Sequence, residues 1–174
     1  MSAREYQKGC KGCAISQGSE EPSGGTVHLE GGWLLNHYQG SEAFLGWLAM
    51  QPKLHAMELS DLNEAELKSL GPNTTLIDKA LRAYWVEHHK EDPIERVYVV
   101  YFFESAHEWP PSKYHLHVHL IARPQSLRGL QSNGESLTGW RLCDVKKHSS
   151  FPLRYRPTQH SVSNLMDALR QSLT

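Results

Sequence analysis

Three histidines, His115, His117 and His119, alternate with aliphatic residues in the segment HLHVHL. Side chains along a β-strand point alternately to its two faces, so a strand here would place the imidazoles on one face and the aliphatic side chains in the core. Neutral imidazole binds zinc, and it is also a nucleophile that can accept a phosphoryl or nucleotidyl group and release it to water. The spacing therefore indicates a functional row of histidines and leaves both chemistries open.

A second set of potential ligands lies near the N-terminus, where Cys10 and Cys13 have C-x-x-C spacing. Three cysteines in the chain are too few for a disulfide framework, and in a reducing compartment this spacing is typical of metal or redox ligands. Residues 14–25 are small, polar and rich in Gly and Pro. They predict a surface loop, with ordered structure beginning near Thr26.

Five segments rich in apolar, β-branched or aromatic residues predict the strands that position these groups. They cover residues 26–30, 33–37, 44–50, 96–103 and 114–122. Gly31 and Gly32 predict a hairpin turn between the first two. The third segment is apolar enough to be buried on both faces, and the fourth is typical of a central strand.

Between residues 60 and 90 the apolar period becomes helical. Asn63 and Glu66 have the spacing of a capping box, and Pro72 predicts a kink or break in the long helix because proline lacks a backbone donor. An amphipathic pattern between Val162 and Leu173 predicts a C-terminal helix. The predicted class is α+β, with the long helix on one face of an antiparallel sheet and the histidine row exposed in a shallow cleft on the other.

Size and composition exclude several classes of protein. A chain of 174 residues fits one domain, and 18 Lys+Arg against 19 Asp+Glu exclude a polyanion binder that relies on bulk charge. No apolar run reaches the ~20 residues that cross a bilayer, and residues 1–13 lack the apolar core of a signal peptide. We therefore expect a cytoplasmic protein without a membrane partner. Residues 141–160 are locally basic, which leaves nucleic acid as an open partner without further support.

Three motifs resemble the histidine-triad (HIT) superfamily of nucleotide hydrolases and transferases. The segment from His115 to Pro124 resembles its H-φ-H-φ-H-φ-φ signature, and residues 48–55 (LAMQPKLH) resemble its L-V-I-P-K-x-H strand end. The pair Cys10 and Cys13 resembles the N-terminal cysteines of the zinc-containing branch. The resemblance covers residues 8–124, so we expect a HIT-like domain at 1–124 with an extension, 125–174, packed on it.

The resemblance implies a residue for each step of catalysis. His117 would be the nucleophile that forms a nucleotidyl-histidine, with a backbone carbonyl fixing its tautomer, and His119 would donate to the leaving oxygen. Ser112 falls where the family has a serine that contacts phosphate. The implied substrate is a nucleotide or dinucleoside polyphosphate, and the implied assembly is a homodimer.

The resemblance also implies one zinc ion with a structural role, because a site with four protein ligands is closed. The implied ligands are Cys10, Cys13, His55 and His115.

Three departures from the family pattern bear on the substrate. Pro110 and Pro111 stand where Gly-Gln is usual, Glu104 stands where Asn is usual, and the ribose-binding acid near the end of the second strand is not evident. The candidates to replace that acid are Asn36, His37 and Gln39.

Three functions therefore compete. The first is a nucleotide hydrolase or nucleotidyl transferase that acts on a phosphoanhydride or phosphoramidate. The second is a zinc-stabilised module that binds nucleotide or nucleic acid without turnover, and the third is a hydrolase that uses the triad as a catalytic metal site. The presence of His117 and His119 favours the first over the second. The third is disfavoured because His115 is already an implied zinc ligand.

Overall fold

The structure is a computed structural model that describes residues 4–101, 114–128, 130–132, 135–136, 146 and 149–173. Its class is α+β, as predicted, with a five-stranded antiparallel sheet in the order β1-β2-β3-β5-β4. The sheet strands are β1 (Thr26–Leu29), β2 (Trp33–His37), β3 (Trp47–Pro52), β4 (Ile94–Tyr101) and β5 (Val118–Pro124). The helices are α1 (Lys11–Ser16), α2 (Glu64–His88) and α3 (Gln159–Leu173), and a small separate pair of strands is formed by β6 (Gln131–Ser132) and β7 (Glu135–Ser136).

The hairpin predicted at Gly31 and Gly32 joins β1 to β2. Gly31 has φ +68°, and a Cβ there would come within 1.9 Å of Ser69 Oγ on α2. A side chain at this position would meet both backbone strain and a clash, so glycine is required where the hairpin crosses the helix.

The two faces of the sheet differ in what they carry. One face packs against α2, and Trp33 Nε1 donates to Glu66 O there at 3.0 Å. The buried residues of this face include Trp33, Leu35, Leu48, Met50, Val118 and Leu120. On the opposite face Asn36 lies beside Ala49, and Ala49 lies beside His119, in a row across three strands. The alternation of His119 with buried aliphatic residues is therefore confirmed.

Helix α2 begins as its sequence predicts. The Asn63 side chain accepts from Glu66 N at 2.9 Å, and the Glu66 carboxylate accepts from Asn63 N at 2.8 Å, which completes the capping box. The break predicted at Pro72 does not occur, and α2 continues from Glu64 to His88. Pro72 is exposed, whereas Asn73 and Ile77 after it are buried. The packing of these two residues holds the following turns in place.

Four strand and loop predictions need correction. The segment predicted as a central strand, 96–103, overlaps β4, which begins earlier, at Ile94, lies at the edge of the described sheet and pairs there with β5. Strand β3 begins at Trp47 rather than at residue 44, and β5 begins at Val118 rather than at residue 114. Ordered structure begins before Thr26, since α1 occupies part of the predicted loop. An apolar run indicates a strand but does not fix its neighbours, which depend on long-range pairing.

The predicted C-terminal helix is present as α3. Its apolar stripe of Val162, Leu165, Met166 and Leu169 is buried, and the helix packs against α2 and β1. Within the described residues, none of the helices combines the length and the apolar character that a bilayer crossing requires.

Candidate functional site

The three histidines occupy different environments. His115 and His117 precede β5, and Leu116 between them donates its N–H to Ala56 O at 2.8 Å. His115 is 5% exposed and His119 3% exposed, while His117 is half-buried. The prediction of a histidine row exposed in a shallow cleft is therefore wrong for His115 and His119. The strand end is covered on the side of His115 by α1 and on the side of His119 by aromatic rings.

His117 has a defined tautomer, as expected. Its Nδ1 lies 2.8 Å from the backbone oxygen of His115. A carbonyl only accepts, so Nδ1 carries the proton and Nε2 carries the lone pair. Burial lowers the pKa of His117 below its ordinary value, and the hydrogen bond to His115 opposes part of that shift. Both observations favour a neutral His117 imidazole with a lone pair on Nε2.

His119 is enclosed by aromatic side chains. Trp47 Nε1 donates to His119 Nδ1 at 2.9 Å, and the ring of Tyr38 meets the His119 ring edge-on, with centroids 4.7 Å apart. Burial, followed by the nearby His117, lowers the pKa of His119 to about 3. Its ring centroid lies 4.6 Å from that of His117, so the two side chains can act on one bound group.

A cavity of about 400 Å³ opens beside His117, which is a size suited to a nucleoside. Its lining residues include Lys11, Ile15, Asn36, Tyr38, Gln39 and His117. Asn36 is 3% exposed and donates from Nδ2 to His37 O at 2.8 Å. Its buried Oδ1 has no hydrogen-bond partner among the described residues. Gln39 donates to the same His37 oxygen at 2.8 Å.

His37, the remaining candidate to replace the ribose-binding acid, does not line this cavity. It lies on the face of β2 opposite to Asn36, and its Nε2 is 3.2 Å from Phe44 O. Ser112, Glu104, Pro110 and Pro111 lie outside the described residues.

The four implied zinc ligands form one cluster. Their donor atoms all lie within 4.8 Å of one another. His115 Nδ1 is 3.3 Å from Cys10 Sγ and 3.6 Å from Cys13 Sγ, and His55 Nδ1 is 3.5 Å from Cys13 Sγ. Zinc bonds of about 2.3 Å to sulfur and 2.0–2.1 Å to nitrogen place these atoms about 3.5 Å apart in a tetrahedron. The cluster therefore has the dimensions of a tetrahedral zinc site.

The surroundings of the cluster also fit a metal ion. His115 donates from Nε2 to Pro52 O at 2.8 Å, which leaves Nδ1 as the ligand atom. The backbone N–H of Gln7 donates to Cys13 Sγ at 3.3 Å. Burial raises the pKa of the Cys10 thiol to about 11, so a thiolate there requires a compensating cation. The donor set, Cys₂His₂, is typical of structural zinc.

Several residues of the site were not anticipated from the sequence. Trp47, Tyr38 and Lys11 carry no sequence signal that marks them as part of it. Gly12 does carry a sequence signal, which is its position between the two cysteines. A Cβ there would come within 2.4 Å of His115 Cγ, so no larger residue fits against that ring.

Comparison of the sequence with models of known protein families gave no match, and comparison with curated proteins gave none. Histidine triad proteins are among the solved structures to which the chain is similar. A zinc-bound histidine triad family protein from Mycobacterium smegmatis has a TM-score of 0.55 at 17% identity, over 94% of this chain and 92% of that chain. A hypothetical histidine triad nucleotide-binding protein from Sulfolobus tokodaii has a TM-score of 0.58 at 17% identity, over 94% and 91%.

The third is a Hit-like protein involved in cell-cycle regulation from Bartonella henselae, with a TM-score of 0.55 at 17% identity, over 92% of each chain. These likenesses extend along nearly the whole of each chain. The chain has the fold of the histidine triad proteins.

Proposed function

We propose that the protein is a nucleotide hydrolase or nucleotidyl transferase of the histidine triad superfamily, acting on a phosphoanhydride or phosphoramidate through a nucleotidyl-histidine. One observation carries the proposal. The bond from His117 Nδ1 to His115 O leaves Nε2 as the nucleophilic nitrogen, on a residue that lines the cavity.

The reaction has two displacement steps. In the first, the lone pair of His117 Nε2 attacks the α-phosphorus, and the bond to the leaving group breaks with its electron pair going to that group. In the second, water attacks the same phosphorus, the nitrogen–phosphorus bond returns its pair to Nε2, and the water loses a proton to solvent. A nucleotide acceptor in place of water makes the reaction a transfer.

His119 and the cavity walls bind the substrate in this proposal. His119 donates from Nε2 to the leaving or bridging oxygen, where negative charge develops. The unpartnered Oδ1 of Asn36 accepts from a ribose hydroxyl, because a buried acceptor gains from a donor that a ligand supplies. Gln39 also lines the cavity. Ser112 would contact phosphate, as its match to the serine of the histidine-triad family implies.

We assign one zinc ion to Cys10, Cys13, His55 and His115, with a structural role. Four protein ligands leave no open coordination position for a substrate or a water. The ion would join α1 to β3 and to the histidine row, and none of the displacement steps needs it.

The remaining proposals concern assembly and location. We propose a homodimer, supported by the exposed apolar side chain of Val99 on β4, an edge strand of the described sheet to which a second copy could add. We also propose a HIT-like domain at 1–124 with the extension 125–174 packed on it, supported by the contacts of α3 with α2 and β1. A cytoplasmic location is supported by Cys10 and Cys13, which are not joined in a disulfide and are placed to bind a metal ion.

Mass spectrometry of the protein incubated with a dinucleoside polyphosphate tests the enzymatic proposal. We expect a nucleotidyl adduct on His117 after an acid-free quench, and none on the His117→Ala variant. The exposed His28 of β1 provides a matched control, because His28→Ala should leave the adduct unchanged. Binding of nucleotide without an adduct or turnover would favour the zinc-stabilised binding module instead.

A further inference from the structure

We propose that Trp47 is a positioning residue that holds His119 as the neutral tautomer with its proton on Nε2. We further infer that the site therefore cleaves phosphoanhydrides, whose leaving group departs as an anion, in preference to phosphoramidates, whose amine must gain a proton. The substrate assignment rests on the proposed function, whereas the tautomer does not.

The sheet register places Trp47 next to His119. Ala49 faces His119 across the β3–β5 pair, and Trp47 lies two residues before Ala49 on the same face. Diagonal neighbours of this kind are within reach of aromatic side chains. The Trp47 ring is held between Tyr38 and Phe44, with centroids at 5.3 Å and 5.6 Å, so its N–H has a fixed direction.

The hydrogen bond between Trp47 and His119 assigns the proton. An indole N–H only donates, so His119 Nδ1 at 2.9 Å must accept through its lone pair. A neutral imidazole that accepts at Nδ1 carries its proton on Nε2. Protonation of Nδ1 would set two N–H groups against each other in a buried place and break this bond.

The described aromatic and imidazole rings that face His119 do not favour its cation. The described rings around it are those of Tyr38, Trp47 and His117, and none carries a negative charge at neutral pH. Burial lowers the pKa of His119, in agreement with a neutral ring. His119 therefore supports the reaction as a hydrogen-bond donor that keeps its proton.

A His119 side chain that donates a hydrogen bond but keeps its proton favours one class of leaving group over another. When a phosphoanhydride bond breaks, the electron pair stays on a phosphate oxygen that is stable as an anion, and a hydrogen bond from His119 Nε2 is sufficient. When a phosphoramidate bond breaks, the amine nitrogen must receive a proton. A neutral imidazole does not release its Nε2 proton in this pH range, so the site lacks the general acid that this step requires.

The tautomer is tested by long-range ¹H–¹⁵N NMR of the zinc-loaded protein, with the His119 signals assigned from a His119→Gln variant. We expect the protonated nitrogen to be Nε2 at pH 7. In the Trp47→Phe variant, which keeps an aromatic ring and removes the N–H, the His119 nitrogen shifts should move toward a mixture of tautomers. Trp33→Phe is the matched control, because it removes a buried indole donor that bonds to Glu66 O instead.

Kinetics test the substrate class with a dinucleoside polyphosphate and a nucleoside phosphoramidate that share one nucleoside. We expect kcat/KM to favour the phosphoanhydride by about 10²-fold or more, the usual contribution of a positioned general acid. Trp47→Phe should lower kcat for the phosphoanhydride by about tenfold with little change in KM, and Trp33→Phe should not.

Four results would overturn the inference. Protonated Nδ1 on His119 in the parent, or unchanged His119 shifts in Trp47→Phe, would remove the role of Trp47. Equal kcat losses in the two tryptophan variants would do the same. Equal or faster cleavage of the phosphoramidate would remove the substrate class. If neither compound is cleaved the proposed function fails, while the NMR spectrum still decides the tautomer.

Discussion

The backbone oxygen of His115 accepts from Nδ1 of His117 at 2.8 Å, while the His115 ring faces Cys10 Sγ at 3.3 Å. One residue thus joins the Cys₂His₂ cluster to the proposed nucleophile. The cluster also holds α1, which contributes Lys11 and Ile15 to the cavity wall. We therefore expect the state of the cluster to affect the geometry of the cavity as well as the stability of the fold.

The first prediction distinguishes the catalytic roles of His117 and His119. His117→Ala should abolish turnover of a dinucleoside polyphosphate, because it removes the group that forms the covalent intermediate. His119→Ala should lower kcat by about 10²–10³, the usual loss of one positioned donor to a developing anion. Circular dichroism and thermal melts should show both variants folded. Turnover by His117→Ala near the parent rate would contradict the nucleophile assignment.

The second prediction concerns the metal cluster. Freshly purified protein should contain about one zinc per chain by elemental analysis, and Cys10→Ser should lose most of it. Because binding free energy at a structural site is folding free energy, the variant should lose about 4 kcal/mol of stability and about 8–16 °C in Tm.

The exposed His28 supplies the control for a ligand change, since His28→Gln should alter neither zinc content nor Tm. Chelation should abolish activity at the rate at which the protein unfolds. Zinc-free protein with the Tm of Cys10→Ser unchanged from the parent would rule out the structural site. Instant loss of activity on chelation, with the fold intact, would favour a catalytic metal.

The third prediction tests the contact between α1 and the cluster. In Gly12→Ala the new Cβ would come within 2.4 Å of His115 Cγ, so α1 must move away from the ring. Competition with a colorimetric chelator should show zinc affinity lowered by about 10–100-fold, the usual cost of disturbing the groups around a metal ligand. Gly71→Ala on α2, where nothing lies within 4 Å, should leave zinc affinity unchanged. Equal affinities in the two variants would contradict the contact.

Local patterns predicted much of this fold, because they describe properties of short segments. The capping box of Asn63 and Glu66 and the alternation ending in His119 and Leu120 are set within a few residues. The C-x-x-C spacing of Cys10 and Cys13 likewise indicates ligands from four neighbouring residues alone. These signals need no knowledge of which strands pair.

Long-range pairing explains what the sequence did not predict. The bond between Trp47 and His119 joins residues 72 positions apart, and nothing in the sequence around Trp47 marks it. Helix α1 lies in a polar, glycine-rich stretch and is fixed from outside, where Gln51 donates to Gly12 O at 2.8 Å. The edge position of β4 depends on β5 lying between it and β3.

The fourth prediction concerns Asp92, which is 5% exposed and joins three parts of the chain. Its carboxylate accepts from Ser126 N at 2.8 Å and from Ser126 Oγ, on the turn after β5. It also accepts from Arg154 at 2.6 Å and Tyr155 at 2.7 Å, in the segment before α3. Asp92→Asn should lower the free energy of unfolding at pH 7 by about 3 kcal/mol, because it removes a buried charge that these four hydrogen bonds stabilise.

The stability difference between the parent and Asp92→Asn should depend on pH. Burial alone would raise the pKa of Asp92, but the hydrogen bonds from Ser126, Tyr155 and Arg154 outweigh it and lower that pKa below the ordinary 3.8. The unfolded chain therefore binds the proton more readily than the folded one, so the contribution is complete above about pH 4 and is lost as the pH falls through the folded-state pKa. Urea unfolding should show the gap between parent and Asp92→Asn narrowing below pH 4. Asp78→Asn, at a partly exposed residue of an (i,i+4) ion pair with Arg82, should differ from the parent by less than about 0.5 kcal/mol. A gap for Asp92→Asn that stays constant on acidification would show that the loss comes from packing rather than from the charge.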